Sequence, residues 1–354
     1  MENIKINETP IRTSRNFNIN NIKLENINVP ENIEKFNGFK LTGESSKIKI
    51  ENNPSKMGLT YGIDNFLVNQ VEKKANKSLK ITVDGKIEDT FEINYEFDES
   101  NSVLLDNLEI IANEETNANI VLKYKSKSNI ENFHNGVIRV LAKKNSYINI
   151  VIVNLMNSIS NNFISIENVL EEKSKVNYTI IDFGGKNSIT NYYSNIKGKE
   201  SENNLNTIYL GKDNQLFDLN YIGELRGEKS NINIEVQGAL KDNAKKHFKG
   251  TIDFKKGCKK STGNENEACM LLSETAKSLA LPMLLCSEED VEGNHSSSAG
   301  KVGEKELFYI MSRGFTLKEA MKLMVKARFN KILENIKNEE LKQEILEEID
   351  TRLD

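Results

Sequence analysis

A chain of 354 residues can form one large domain or two of ordinary size, and in either case can bury a substantial core. Its 48 basic and 52 acidic residues give a net charge of −4 with no continuous cationic stretch, which argues against nucleic acid as a partner. No apolar run approaches the roughly 20 residues a membrane helix needs, and the opening MENIKINETPIRTS lacks the apolar centre of a signal peptide. A soluble, cytoplasmic chain is expected.

In the N-terminal segment, GIDNFLVNQVEKKAN places Phe66, Leu67, Gln70, Val71 and Lys74 at helical spacing. This predicts a helix-containing cap over residues 1–79. The middle of the chain, residues 80–302, repeats itself. ANIVLK, INIVIV, VNYTII, LNTIYL and INIEVQ each combine an asparagine with apolar or β-branched residues. Aligning Asn119, Asn149, Asn177, Asn206 and Asn233 gives separations of 30, 28, 29 and 27 residues, a period that calls for a repeat architecture.

These runs alternate at two or are apolar throughout, so they read as strands, and polar clusters such as KKNS, EEKSK, GGKNS and GEKSN supply the turns. A solenoid of stacked coils and an antiparallel sandwich both suit that pattern. The asparagines themselves carry little weight, because Asn, Lys and Ile are abundant throughout.

Residues 303–354 read as a helical region. Thr316 and Glu319 form a capping box ahead of LKEAMKLMVKARF, in which Leu317, Ala320, Met321 and Met324 make one apolar stripe continued by Ile332, Leu333 and Ile336. A last helix from about Asn338 carries Leu341, Ile345 and Ile349 at intervals of four. The stripes either pack on the end of the solenoid or face a partner, and a chain cut after Leu317 is expected to keep its β-rich core.

Chemistry-bearing residues are sparse. Cys258, Cys269 and Cys286 show no CxxC spacing, which excludes a disulfide framework and a self-contained zinc site. Cys286, after PMLL, reads as core packing, and Cys258 lies among lysines that could lower its thiol pKa. His134 and His247 have no ligand-like neighbours in sequence. His295 follows an acidic loop, Glu288, Glu289, Asp290 and Glu292, and precedes Ser296 to Gly300, small residues that let another surface approach. Its imidazole suits iron or zinc. No GxxxxGK[ST], GxSxG, HExxH or EF-hand loop occurs, so any nucleotide-driven step must come from another subunit.

The order DVEGNH, a small-residue run, ELFY and SRG, preceded upstream by FKGTIDF, MLLSETA and LPMLL, resembles the SufB/SufD family of iron-sulfur cluster assembly scaffolds, and SufD most closely. The resemblance implies a right-handed parallel β-helix with helical terminal regions, and decides against the sandwich. It implies a non-catalytic scaffold subunit of an ATPase-containing complex. Such a subunit meets a SufB-type partner near His295 and docks a SufC-type ABC ATPase through its C-terminal helices. The ATPase's nucleotide binding would change the scaffold interface, and a homodimer is a further candidate assembly. His295 becomes a prospective iron ligand given in trans, to a transient cluster shared with the partner.

Cys269, within one position of a cysteine of SufB-type chains, is a second metal candidate. The register anchored on Leu271, Leu272 and Ser273 instead puts Ala268 at that cysteine and favours a buried thiol. SufB proteins also carry a glutamate where Ser296 stands. The expected partner interface comprises Asn294, His295, Ser296, Phe308, Arg313, Leu317, Met321 and Met324. A SufB-type subunit, a cytoplasmic β-helix carbohydrate-active enzyme, which would need paired acids on neighbouring strands, and a plain structural solenoid are the alternatives.

Overall fold

The computed structural model describes residues 2–13, 19–43, 45–55 and 58–354. Residues 1, 14–18, 44, 56 and 57 of the expected N-terminal cap lie outside the described residues. The first strands are β1 (Glu2–Ile6), β2 (Ile22–Ile27), β3 (Phe39–Thr42) and β4 (Ile48–Glu51), followed by helix α1 (Asn65–Lys74). The repeating region then runs through β5 (Lys77–Val83), β6 (Lys86–Phe97), β7 (Val103–Ala112), β8 (Asn117–Ser126), β9 (Phe133–Ala142) and β10 (Tyr147–Leu155). It continues with β11 (Asn161–Leu170), β12 (Lys175–Asp182), β13 (Asn187–Ile196), β14 (Glu202–Gly211) and β15 (Leu216–Leu225). It ends with β16 (Asn231–Leu240), β17 (Lys245–Phe254), β18 (Ser261–Leu271), β19 (Lys277–Cys286) and β20 (Val291–Lys301).

From β5 onward each strand pairs in parallel with the strand two places away, so the even-numbered strands build one sheet and the odd-numbered strands the other. One strand in each sheet makes a coil, and the chain is a parallel β-solenoid. Parallel pairing excludes the sandwich. Between the sheets, in-register columns fill the interior: Ile120, Ile150, Tyr178, Leu205 and Ile234 on one wall, and Leu108, Ile138, Ile166, Tyr192 and Tyr221 on the other. Each such side chain contributes about 1.5–3 kcal/mol by leaving water. One corner of successive coils is turned by a left-handed residue, Glu115, Asn145, Lys173, Glu200, Lys229 or Lys260. At most of them the following serine (Ser146, Ser174, Ser201, Ser230) donates its hydroxyl to the carbonyl three residues earlier. Coil length is set there.

The two sheets are clad on their outer faces by the two ends of the chain. The β1–β2 ribbon and α1 cover the odd-numbered sheet, where Ile6, Ile22, Leu24, Ile27 and Leu67 pack on Leu105, Phe133, Phe163 and Ile189. Asn7 and the buried Lys249 both bind the Asp218 carboxylate, which ties this arm to β15 and β17. At the start of the solenoid β3 pairs antiparallel with β6, and β4 with β5, so short four-residue strands form the outermost edges there.

Helices α2 (Glu304–Ser312), α3 (Leu317–Leu333) and α4 (Glu339–Leu353) follow the last coil. The capping box at Thr316 forms, with the Thr316 hydroxyl accepting from the Glu319 amide and the Glu319 carboxylate accepting from the Thr316 amide. Two expectations need correction. Helices α3 and α4 do not sit on the solenoid end but lie along the outer face of the even-numbered sheet. There Val325, Phe329, Ile332, Ile345 and Ile349 bury Val151, Val153, Ile181, Phe183 and Ile208. The stripe from Leu317 to Ile336 is buried only in part: Ala320, Ile332, Leu333 and Ile336 are buried, whereas Leu317 is exposed and Met321 and Met324 are half-buried. The helix is apolar on more than one side, and the sheet selects Val325 and Phe329. Cutting after Leu317 would therefore uncover a large apolar face of the core. Among the described residues no helix is long and apolar enough to cross a membrane.

Candidate functional site

At its far end the solenoid stops without a closing strand. Among the described residues β19 and β20 are the outermost strands of their sheets, each bonded to a neighbour on one side only. His295 lies in the strand β20 and not in a polar loop; of the acidic residues ahead of it, Glu288, Glu289 and Asp290 precede the strand and Glu292 is part of it. The run VEGNHSSSAGK is extended by in-register pairing with the whole of β18, from Ser261 opposite Val291 to Leu271 opposite Lys301. Its small side chains have little preference of their own, and the neighbouring strand decides. Nearly every residue of β20 is solvent-exposed, because no further coil covers it.

Strand parity fixes which residues face the interior. The column of Ile120, Ile150, Tyr178, Leu205 and Ile234 continues into Glu265 on β18 and then His295 on β20. The adjacent column, Ile180, Thr207 and Val236, continues into Glu267 and Ser297. Two largely uncharged columns thus turn acidic one coil below the mouth.

The two carboxylates are treated differently. Glu267 accepts from the buried Lys246 ammonium at 2.7 Å, from the Tyr209 hydroxyl at 3.3 Å and from Ser297 at 2.8 Å. Glu265 is 2% exposed, and neither carboxylate oxygen has a hydrogen-bond partner. Burial, with the Glu267 charge added, lifts the Glu265 carboxyl to about 8. Room for it comes from the opposite wall, where the column Tyr192, Tyr221 drops to Gly250: a Cβ there would lie 2.1 Å from Glu265 Oε2.

The cysteines fall elsewhere. Cys269 is buried, and burial raises its thiol pKa. It stands opposite Ala299, four residues beyond the His295 position, or about 13 Å along the strand. The structure does not bring the two together. Cys286 is exposed at the end of β19 and is not core packing, because the last coil has no neighbour to bury it. Cys258 is buried, and burial pushes its thiol up to about 11, overriding the lysines around it in sequence. His134 is interior, its ring nitrogens each 2.6 Å from an oxygen, of Asp106 and of Asn162. His247 is partly buried near Asp218. Among the described residues no three His, Cys, Asp or Glu side chains converge on one point.

On the outer face of the even-numbered sheet a ladder of asparagines reaches the same end. The in-register members are Asn119, Asn149, Asn177, Asn204, Asn233, Asn264 and Asn294, so the repeat aligns on Asn204 and not on Asn206. From Asn204 onward each amide donates to the carbonyl oxygen of the asparagine one coil earlier at 2.9–3.1 Å. Ser296, beside Asn294, bonds to Asn266. A second exposed surface lies on α2 and the start of α3. Phe308 is 75% exposed there, and Tyr309, Met311, Phe315 and Leu317 are exposed beside it. Arg313 stacks on the Tyr309 ring at 5.1 Å.

Imidazole and carboxylate oxygen are both donors that bind first-row metal ions, so His295 and the bare Glu265 are ligand types for such ions, whereas Cys269 stands apart. The SufBD core domain of the SUF system for FeS cluster assembly matches residues 95–328. The chain belongs to the SufB/SufD family. It is 26% identical over 180 residues to the iron-sulfur cluster assembly protein SufD of Bacillus subtilis, covering 51% of this chain and 41% of that protein. Identity to SufD of Escherichia coli is 21% over 236 residues, covering 67% and 56%. A SufBD family protein of Pyrococcus horikoshii is 29% identical over 163 residues, covering 46% and 35%. The matched part of this SufB/SufD-family chain thus spans from about a third to just over half of these relatives, and its likeness runs to SufD.

Glu265, Glu267, Lys246 and the ladder rungs Asn204 and Asn264 escaped the sequence reading. Their signal was present: laid over INIEVQ, the segment GNENEA puts acids where Ile234 and Val236 stand.

Proposed function

We propose that this chain is a SufD-type, non-catalytic scaffold subunit that works in the cytoplasm with a SufB-type partner and a SufC-type ATPase. The observation that carries the reading is the unclosed end of the solenoid, where the interior column finishes in an exposed His295 on a strand with one unpaired edge. A long unpaired edge invites another strand, and a SufB-type solenoid offers one. Asn294 and Ser296 would face that partner from the outer side of β20, and His295 from the inner side. A transient iron-sulfur cluster would then be built between the subunits, with His295 donating one ligand in trans. Fewer than three ligand-type side chains converge at any point among the described residues, which suits a site shared with another chain.

The apolar surface formed by Phe308, Tyr309, Met311, Phe315 and Leu317 is assigned to the ATPase, with Arg313, Met321 and Met324 at its margin. The sequence holds no phosphate-binding loop, so nucleotide is bound by that partner and not by this chain. Exposed patches of this kind mark protein interfaces.

Co-expression of the chain with its SufB-type and SufC-type partners tests the reading. His295→Ala should leave the complex recoverable while strongly reducing bound iron, sulfide and visible absorption. Normal cluster content would overturn the role of His295. Loss of the complex would place the histidine in the interface instead, and recovery of the wild-type chain only as a homodimer would overturn the heteromeric assembly.

A further inference from the structure

We propose that Glu265 is a second metal ligand of this chain, paired with His295 as a carboxylate and imidazole half-site for a divalent first-row transition metal inside the mouth of the solenoid. This rests on reading the mouth as the face where iron is gathered.

The argument starts from position. Glu265 and His295 are in-register neighbours on adjacent parallel strands, so their side chains leave the same face of the sheet about 4.8 Å apart at the backbone. Both point into the interior, Glu265 one coil below the opening and His295 at the opening itself. The column beneath them is apolar for five coils, from Ile120 to Ile234. A sixth apolar residue would continue that packing.

The environment supplies the second, independent observation. A buried carboxylate kept for structure is normally compensated, as Glu267 is two residues away by Lys246, Tyr209 and Ser297. Glu265 is just as buried, yet both its oxygens are unpartnered. Gly250, facing it where the two preceding coils carry tyrosines, leaves the carboxylate space that any larger residue would fill. A bare acid in a cleared interior position is poor packing and a good waiting ligand. Buried polar groups that break the local pattern without a partner mark functional sites.

Oxygen and imidazole nitrogen together suit Fe(II), Zn(II) or Co(II). With two ligands from this chain the remaining coordination positions face the mouth, open to sulfide or to side chains of the subunit docked there.

The test uses the full-length chain and Co(II) alone as the probe, followed by visible absorption and by the shift in melting temperature that binding to the folded state produces. The wild-type chain should bind one Co(II) saturably. Glu265→Gln and His295→Ala should each weaken binding by at least about tenfold, the lower bound for losing even an outer-shell partner. Each should also alter the absorption bands. Glu265→Ile, which restores the residue type of Ile234, should lose Co(II) binding while melting higher than wild type, which separates a lost ligand from a damaged fold. Exposed Glu292 is the control, and Glu292→Gln should behave as wild type.

Unchanged affinity and spectrum in Glu265→Gln, or no saturable binding by the wild-type chain, would overturn the proposal. Co(II) binding that depends on Glu265, in a chain whose complex gathers no iron, would support the ligand pair and sink the scaffold reading. Normal cluster content in the complex, with Co(II) binding indifferent to Glu265, would do the reverse.

Discussion

The solenoid has two ends made from the same kind of coil, and they are finished differently. At the start, the four-residue antiparallel strands β3 and β4 cover part of the β6 and β5 edges, and Phe36, Tyr95 and Phe97 fill the interior with aromatic rings 5.4–6.2 Å apart. At the other end β19 and β20, ten and eleven residues long, each keep one long edge unpaired among the described residues. Four interior columns there finish in the small or polar residues His295, Ser297, Ala280 and Pro282, while Leu284 and Val291 remain apolar but only partly buried. A stack of coils needs a cap at each end to keep its last apolar layer and its edge amides out of water. Among the described residues one end carries short antiparallel strands and an aromatic cap, and the other carries neither.

The largest effect that would sharpen this contrast concerns the cladding. A chain ending after Leu317 should aggregate or elute as soluble oligomers on size-exclusion chromatography, because Val151, Val153, Ile181, Phe183 and Ile208 lose their cover. A monodisperse, folded truncation would show that α3 and α4 are an appendage. Within the coils, Phe97→Ala at the closed end should cost about 3–5 kcal/mol in urea unfolding. Leu284→Ala in the last coil, where the side chain is only partly buried, should cost less than about 2 kcal/mol, the lower edge for a fully buried leucine. Equal costs would mean that the two ends are packed alike.

Glu265 gives a pH-dependent test. Folding holds its proton until about pH 8, whereas the unfolded chain releases it near 4.5, so between these values the native state binds more protons than the unfolded state. Stability must then fall as pH rises through that window, by on the order of 1 kcal/mol per pH unit. Glu265→Ile should remove this slope and gain about 1–3 kcal/mol at pH 8, the cost of an unpartnered buried polar group. Asp182, raised to about 6 by burial, contributes a slope of its own in both proteins. Denaturation curves at pH 5 and pH 8 check the sign, and a variant no more stable than wild type at pH 8 would mean that the carboxylate is compensated after all. The smallest effect is expected at the open end: His295→Ala should change stability by no more than about 0.5 kcal/mol, as for other exposed positions. A larger loss in thermal unfolding would mean that the mouth is packed and not open.

The sequence by itself determined the parts that depend on local pattern. Period-two runs between polar turns were strands, their spacing was that of a coil, Thr316 and Glu319 were a capping box, and the DVEGNH segment with its flanks pointed to the SufB/SufD family. Tertiary structure decided everything that depends on which neighbour a residue meets. Asn204, not Asn206, stands in the ladder, because both offer the same local pattern and only the pairing with Asn177 distinguishes them. On α3 the sheet buries Phe329 and leaves Leu317 in water, although both are large and apolar. Cys286 is exposed, against the expectation of core packing, and Cys258 is buried, so that burial and not the neighbouring lysines sets its thiol pKa. His295 lies on a strand because β18 offers it a register, and Glu265 is bare because Lys246 reaches the other acid. Period is written every few residues along a chain, whereas burial at the last coil depends on whether another coil follows.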